Sequence, residues 1–146
     1  MFFSRMRGRR HEAQSLLFQF LNGKVIVEVK SPYEDRSETR SRFCLAVSVI
    51  PLHDGDPDID AAFTAVTKDI STTGVGIVSN QLISAEEVLI FLGAEASVRP
   101  LRAKVCSCHP LGFGWFVFGT EVTALAYPGE YPILAHFDPN GARLIS

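Results

Sequence analysis

Residues 98–122 read Val98-Arg-Pro-Leu-Arg-Ala-Lys-Val-Cys-Ser-Cys108-His-Pro-Leu-Gly-Phe113-Gly-Trp115-Phe-Val-Phe118-Gly-Thr-Glu121-Val122. Two apolar runs, Val98 to Cys108 and Phe113 to Val122, flank a Pro- and Gly-containing break, the pattern of two consecutive strands. In the second run Phe113, Trp115 and Val117 fall on one side and Phe116 with Phe118 on the other, so one aromatic side faces a core. Working upstream, Val88 to Leu92, Gly74 to Val78 and Ala62 to Ile70 read as strands of similar length. Phe43, Leu45, Val47 and Val49 alternate with Cys44, Ala46, Ser48 and Ile50 as a further strand, ended by Pro51. Six successive strands with short connections and no helical period between them predict antiparallel pairing. A closed barrel leaves no strand edge unpaired, so the fold class is all-β, a six-stranded antiparallel β-barrel.

The flanks differ in character. Residues 33–42 are almost wholly polar and form a loop. Lys24 to Lys30 alternates like an edge strand, and residues 11–21 carry Leu17, Phe18 and Leu21 on one helical face before Asn22–Gly23. The division is an N-terminal extension over 1–31 (basic arm, short helix, edge strand), a barrel over 32–126 and a C-terminal tail over 127–146, where Pro128, Pro132 and Pro139 exclude a long helix. The chain has 146 residues, enough to build a core without disulfides or metals. Net charge is −2, but residues 1–42 hold nine Lys/Arg against five Asp/Glu and the remainder five against eleven. The arginines Arg5, Arg7, Arg9 and Arg10 thus form a basic arm, suited to an anionic partner or simply solvated.

No apolar stretch approaches the ~20 residues needed to span a bilayer, and no apolar segment with a cleavage site follows the first arginines. The expectation is a cytoplasmic protein without membrane insertion, its three cysteines reduced.

Two short patterns carry chemistry. Arg36-Ser-Glu-Thr-Arg40 lies in the polar loop, and Asp69-Ile-Ser71-Thr-Thr-Gly74 lies between the second and third strands. Two guanidiniums four residues apart can clamp phosphates or the O6/N7 edge of guanine, because each is a planar fork of donors. The Asp69 carboxylate can accept from the N1 and N2 donors of guanine, Ser71 adds a directional hydroxyl, and Gly74 permits a tight turn and close approach. Each pattern alone also has a plain reading, as solvated arginines and as a turn in which Asp and Ser bond nearby backbone N–H groups.

Taken together, Arg36 and Arg40, Lys68-Asp-Ile-Ser-Thr-Thr-Gly-Val-Gly-Ile77 and Gly112-Phe-Gly-Trp-Phe-Val-Phe-Gly-Thr-Glu121 resemble the PilZ domain family over roughly residues 33–124. The resemblance implies a six-stranded barrel of split-barrel type that binds cyclic di-GMP. It implies that Arg36 and Arg40 wrap over the ligand and that Asp69, Ser71 and Gly74 shape the surface against which guanine sits. Arg42, directly before Phe43, stands where the family often has its second arginine and shares the work. Asp35 rather than an arginine precedes Arg36. The function implied is a receptor or adaptor that regulates a protein partner through its loop and N-terminal arm. The alternative is a PilZ-like barrel that has lost nucleotide binding and serves as a protein–protein module.

Other patterns are weaker. Cys106-Ser-Cys108-His109 lacks the spacing of a structural zinc site and reads as small wall residues. Asp54-Gly-Asp-Pro-Asp-Ile-Asp60 lacks the glutamate of a calcium loop and reads as a hairpin turn. His11, His53, His109 and His136 fall in turns or tails, and no nucleophile or phosphate-loop pattern is present, so neither an enzyme nor a cofactor is expected. An oligonucleotide-binding barrel would want basic, aromatic-studded strands, and these carry few Lys/Arg, so no nucleic-acid partner is expected.

Overall fold

Two tight turns organise the hairpins. At Asp54–Gly55 both central residues have positive φ (52° and 83°), the backbone that a two-residue turn needs to match the twist of its strands. At the other hairpin Gly112, Phe113 and Gly114 all have positive φ, with Phe113 at 57°. Phe113 is therefore a turn residue at the tip, fully exposed, rather than the first residue of a strand as its alternation predicts. The computed structural model describes residues 9–17, 45–92, 99–127 and 129–137.

The strands are β1 (Ala46–His53), β2 (Asp56–Pro57), β3 (Phe63–Ile70), β4 (Gly74–Ser79), β5 (Glu87–Phe91), β6 (Leu101–Gly112) and β7 (Trp115–Leu125). The order β1-β3-β4-β7-β6-β5 closes on itself through β1–β5, with β2 a two-residue addition beside β1. Every pairing is antiparallel. This is the closed six-stranded antiparallel barrel expected from the strand pattern.

Pro51 does not end the first strand; it lies inside β1, opposite Val88 of β5. The N–H and C=O of one strand residue point to the same side. The Pro51 carbonyl accepts from Asp58 N (2.9 Å), away from β5. The missing N–H thus falls where β3 has already diverged, and no β5 ladder bond is lost.

The core is a barrel filling of Val47, Val49, Ile70, Val75, Ile77, Val88, Ile90, Leu101, Phe118 and Val122. Phe116 and Phe118 are the inward side of β7, while Trp115 is about half exposed. β1 and β5 are buried on both faces. Their outward Ile50, Leu52, Leu89 and Phe91 form a second cluster covered by Tyr131, Leu134 and Phe137 around the 3-10 turn Pro132–His136. Arg102 of β6 ties this cover to the barrel. It makes two hydrogen bonds to the Glu87 carboxylate (2.8 and 2.9 Å) and one to the Tyr131 hydroxyl (3.2 Å).

A helix over residues 9–17, α1, packs on the same core through Ala13 and Leu17, both fully buried and four residues apart on one face. Burying a leucine side chain contributes about 1.5–3 kcal/mol. Ion pairs fix its outer face: Arg9 with Glu130, Arg10 with Glu121, and Glu12 with Arg99. Arg9 also lies 4.5 Å over the Tyr127 ring. Arg9 is therefore committed inside the chain rather than solvated, while Arg10 stays half exposed. Phe18, Leu21, Arg5, Arg7 and the Lys24 to Lys30 strand lie outside the described residues. His11 sits in α1 and His109 in β6, not in turns. No helix among the described residues is long and apolar enough to cross a membrane.

The Glu87–Arg102 pair makes stability depend on acid. Its hydrogen bonds to Arg102 hold the Glu87 carboxyl below its ordinary 4.5. Burial pushes Glu130 up, but the Tyr127 N–H and Arg9 outweigh it, and the net shift is also downward. A depressed folded-state value means stability present above about pH 4.5 and lost as pH falls through the folded value. The urea midpoint should therefore fall between about pH 5 and about pH 3, and Glu87→Gln should remove part of that fall. An unchanged acid slope in the variant would show that the pair contributes nothing.

Candidate functional site

β3 carries a bulge at Lys68, where the register to β4 shifts between Thr67 and Asp69. Ala65 and Thr67 face inward, and the next inward residue is Ile70, three positions on instead of two. The extra residue turns Asp69 outward, onto the barrel surface. Val66, apolar in the strand pattern, lies before the bulge and is 40% exposed because it alternates with inward Ala65 and Thr67.

The β3–β4 turn is built by Ser71. Its hydroxyl oxygen accepts from Thr73 N (3.2 Å) and Gly74 N (3.1 Å), and Ser71 N donates to the Gly74 carbonyl (3.0 Å). Ser71 is nearly buried at 6%. Its hydroxyl shapes the turn, as the plain reading of the pattern has it. Gly74 is needed for a steric reason, not for a positive φ. A Cβ there would press on the backbone carbonyl of Thr120 closer than 3.0 Å, because β7 crosses close behind it. The Thr120 hydroxyl in turn donates to the Val75 carbonyl (2.7 Å).

Two further glycines extend this close approach. Asp69 stands opposite Gly76 in the ladder, and its Oδ1 lies 2.5 Å from where a Gly76 Cβ would sit. Ser107 stands opposite Gly119, its hydroxyl likewise over the bare Cα. Gly74, Gly76 and Gly119 thus make a smooth patch with Asp69 along one side. This patch floors an open cleft of about 230 Å³, edged by Ser71, Thr73, Cys106, Thr120 and Glu121. Asp69, Ser71 and Gly74 are brought together, as their spacing predicts. Arg36, Arg40 and Arg42 lie outside the described residues.

Gly76, Gly119, Cys106 and Glu121 also line the cleft, beyond the residues that the two sequence patterns point to. Gly74 and Gly76 at i and i+2 on one strand face were the available signal; Glu121 is placed only by the pairing of Gly74 with Glu121 between β4 and β7. Cys106 and Cys108 are exposed rather than wall residues. β5 pairs with β6 only as far as Lys104, and a bulge between Val105 and Ser107 breaks the alternation. Among the described residues no group of three or more His, Cys, Asp or Glu side chains gathers as a metal site.

The described lining of the cleft carries two carboxylates, Asp69 and Glu121, and no cation. It offers carboxylate acceptors for N–H donors, with the Asp69 carboxylate lying over Gly76 and the Ser107 hydroxyl over Gly119. The larger recess of about 570 Å³ beside the β1–β2 turn is edged by Asp54, Glu86 and Glu87, and its one arginine, Arg102, is already bound to Glu87.

No family model matches the chain, and no curated protein matches it. Among solved structures it is similar to the Bacillus subtilis inhibitor of motility, MotI/DgrA, at 16% identity, with a TM-score of 0.43 over 75% of this chain and 60% of that one. The chain thus spans about three fifths of the length of that protein.

Substitution of Gly74 tests the close packing under the cleft. Gly74→Ala should destabilise the barrel by about 1–3 kcal/mol, because the added methyl meets backbone rather than a movable side chain. Gly76→Ala meets only the Asp69 carboxylate and should cost less while displacing that group. Urea denaturation checks the order; equal costs would overturn it.

Proposed function

We propose that this chain is a cyclic di-GMP receptor of the PilZ type, a binding domain rather than an enzyme. The observation that carries the reading is Asp69, turned outward by the bulge and laid across a glycine patch beside the Ser71 turn. A guanine stacked on that patch presents its N1 and N2 donors to the Asp69 carboxylate. The phosphates are met by Arg36, Arg40 and Arg42 from the polar loop that precedes β1 in the chain, each a bidentate fork. Binding draws that loop onto the barrel, and a protein partner reads the change.

A second reading is favoured by the β6–β7 hairpin. From Val105 to Thr120 its only titratable side chains are those of Cys106, Cys108 and His109, and its tip exposes Leu111, Phe113 and Trp115. Clustered exposed apolar groups mark a contact surface. A barrel without ligand could use it as a protein–protein adaptor, and a receptor could use it as its output.

Calorimetric titration of cyclic di-GMP separates the two. Saturable binding, absent with GTP and lost in an Arg36→Ala/Arg40→Ala variant, is expected. A Kd of ~1 µM corresponds to about −8.2 kcal/mol and is readily seen at ~100 µM ligand. No heat at that concentration would remove the receptor reading and leave the adaptor.

A further inference from the structure

A cation at the rim of the cleft, Arg10, belongs to neither the Arg36–Arg40 pattern nor the Asp69–Gly74 pattern. Arg10 NH1 lies 3.6 Å from Oε1 of Glu121, and Glu121 edges the cleft. Both side chains are half exposed. The neighbouring charges of α1 are held more firmly. Arg9 is mostly covered, bonded to Glu130 and stacked on Tyr127. Arg99 pairs with Glu12 and also donates to the Ala126 carbonyl. Ala13 and Leu17 anchor the helix in the core. Among the described residues Arg10 makes one long contact, from a fixed helix, and its remaining donors can turn to another acceptor.

We infer that Arg10 is a further phosphate-contacting residue of the cleft, and that Glu121 holds it in place and competes with the ligand for it. The inference rests on the receptor reading above. An anion entering beside Glu121 meets like charge unless a cation lies between them, and Arg10 is the described guanidinium within reach of that carboxylate. The fork can keep one N–H on Glu121 and turn others to a phosphate oxygen. Because Arg10 is part of α1, ligand contact there joins the N-terminal helix to the cleft through one side chain.

Three single variants test this by cyclic di-GMP calorimetry. Arg10→Ala should weaken binding about three- to tenfold at low salt, Arg10→Lys should restore much of it, and Glu121→Gln should tighten it about threefold. The opposite sign of the two losses is diagnostic. If the pair served only to dock the helix, Arg10→Ala and Glu121→Gln would both weaken binding, which would overturn the inference. It is also overturned if Arg10→Ala titrates like the parent while Arg36→Ala/Arg40→Ala fails to bind, an outcome that leaves the receptor reading standing. No binding by the parent chain removes both. Amide exchange supplies a second readout: ligand should slow exchange across residues 9–17 in the parent and not in Arg10→Ala.

Discussion

The pairing of β1 with β5, from Ser48↔Phe91 to Leu52↔Glu87, is the constraint on which the rest depends. It joins the first described strand to a later one and turns an open sheet into a closed ring. Once the ring is closed, every inward side chain has neighbours on all sides, and small residues must stand where strands crowd. Gly74 against Thr120 is one such place. Closure also decides what needs covering. β1 and β5 are apolar on both faces, so their outer face recruits Tyr131, Leu134 and Phe137, and Arg102 clamps that cover in place.

Much of the barrel was legible because its strands obey alternation over most of their length. Val47 with Val49 and Phe116 with Phe118 share a side as their spacing predicts, and that side, like that of Val75 and Ile77, faces the core. The failures have local causes. Pro51 sits at a ladder position that needs no N–H toward β5, which depends on which partner lies on which side. Phe113 occupies a left-handed turn between two glycines, a conformation rare for a bulky residue and not readable from an apolar run. The two faces of β1 are both buried because a distant segment lies over one of them, and period-two patterning carries no sign of that cover.

The site was legible in part and for a different reason. Asp69, Ser71 and Gly74 lie within six residues of one another, and a turn of that size brings them together whatever the rest of the chain does. What could not be read was the work each does. Ser71 is occupied with the turn, and Gly74 yields space to a carbonyl on another strand rather than bending the chain. Asp69 points outward only because Lys68 is bulged, a one-residue irregularity that reverses every later side chain of β3. Arg10 and Glu121 are over a hundred positions apart, and only the packing of α1 onto the barrel makes them neighbours.

The chain has one tryptophan, and the hairpin places it outside the core. Trp115 stands next to the turn, 44% exposed, and the buried Phe118 lies three residues further along β7 on the opposite face. Its intrinsic emission therefore reports on solvent at the hairpin tip while the barrel interior stays dark to it. A blue shift of that emission marks something settling on the tip.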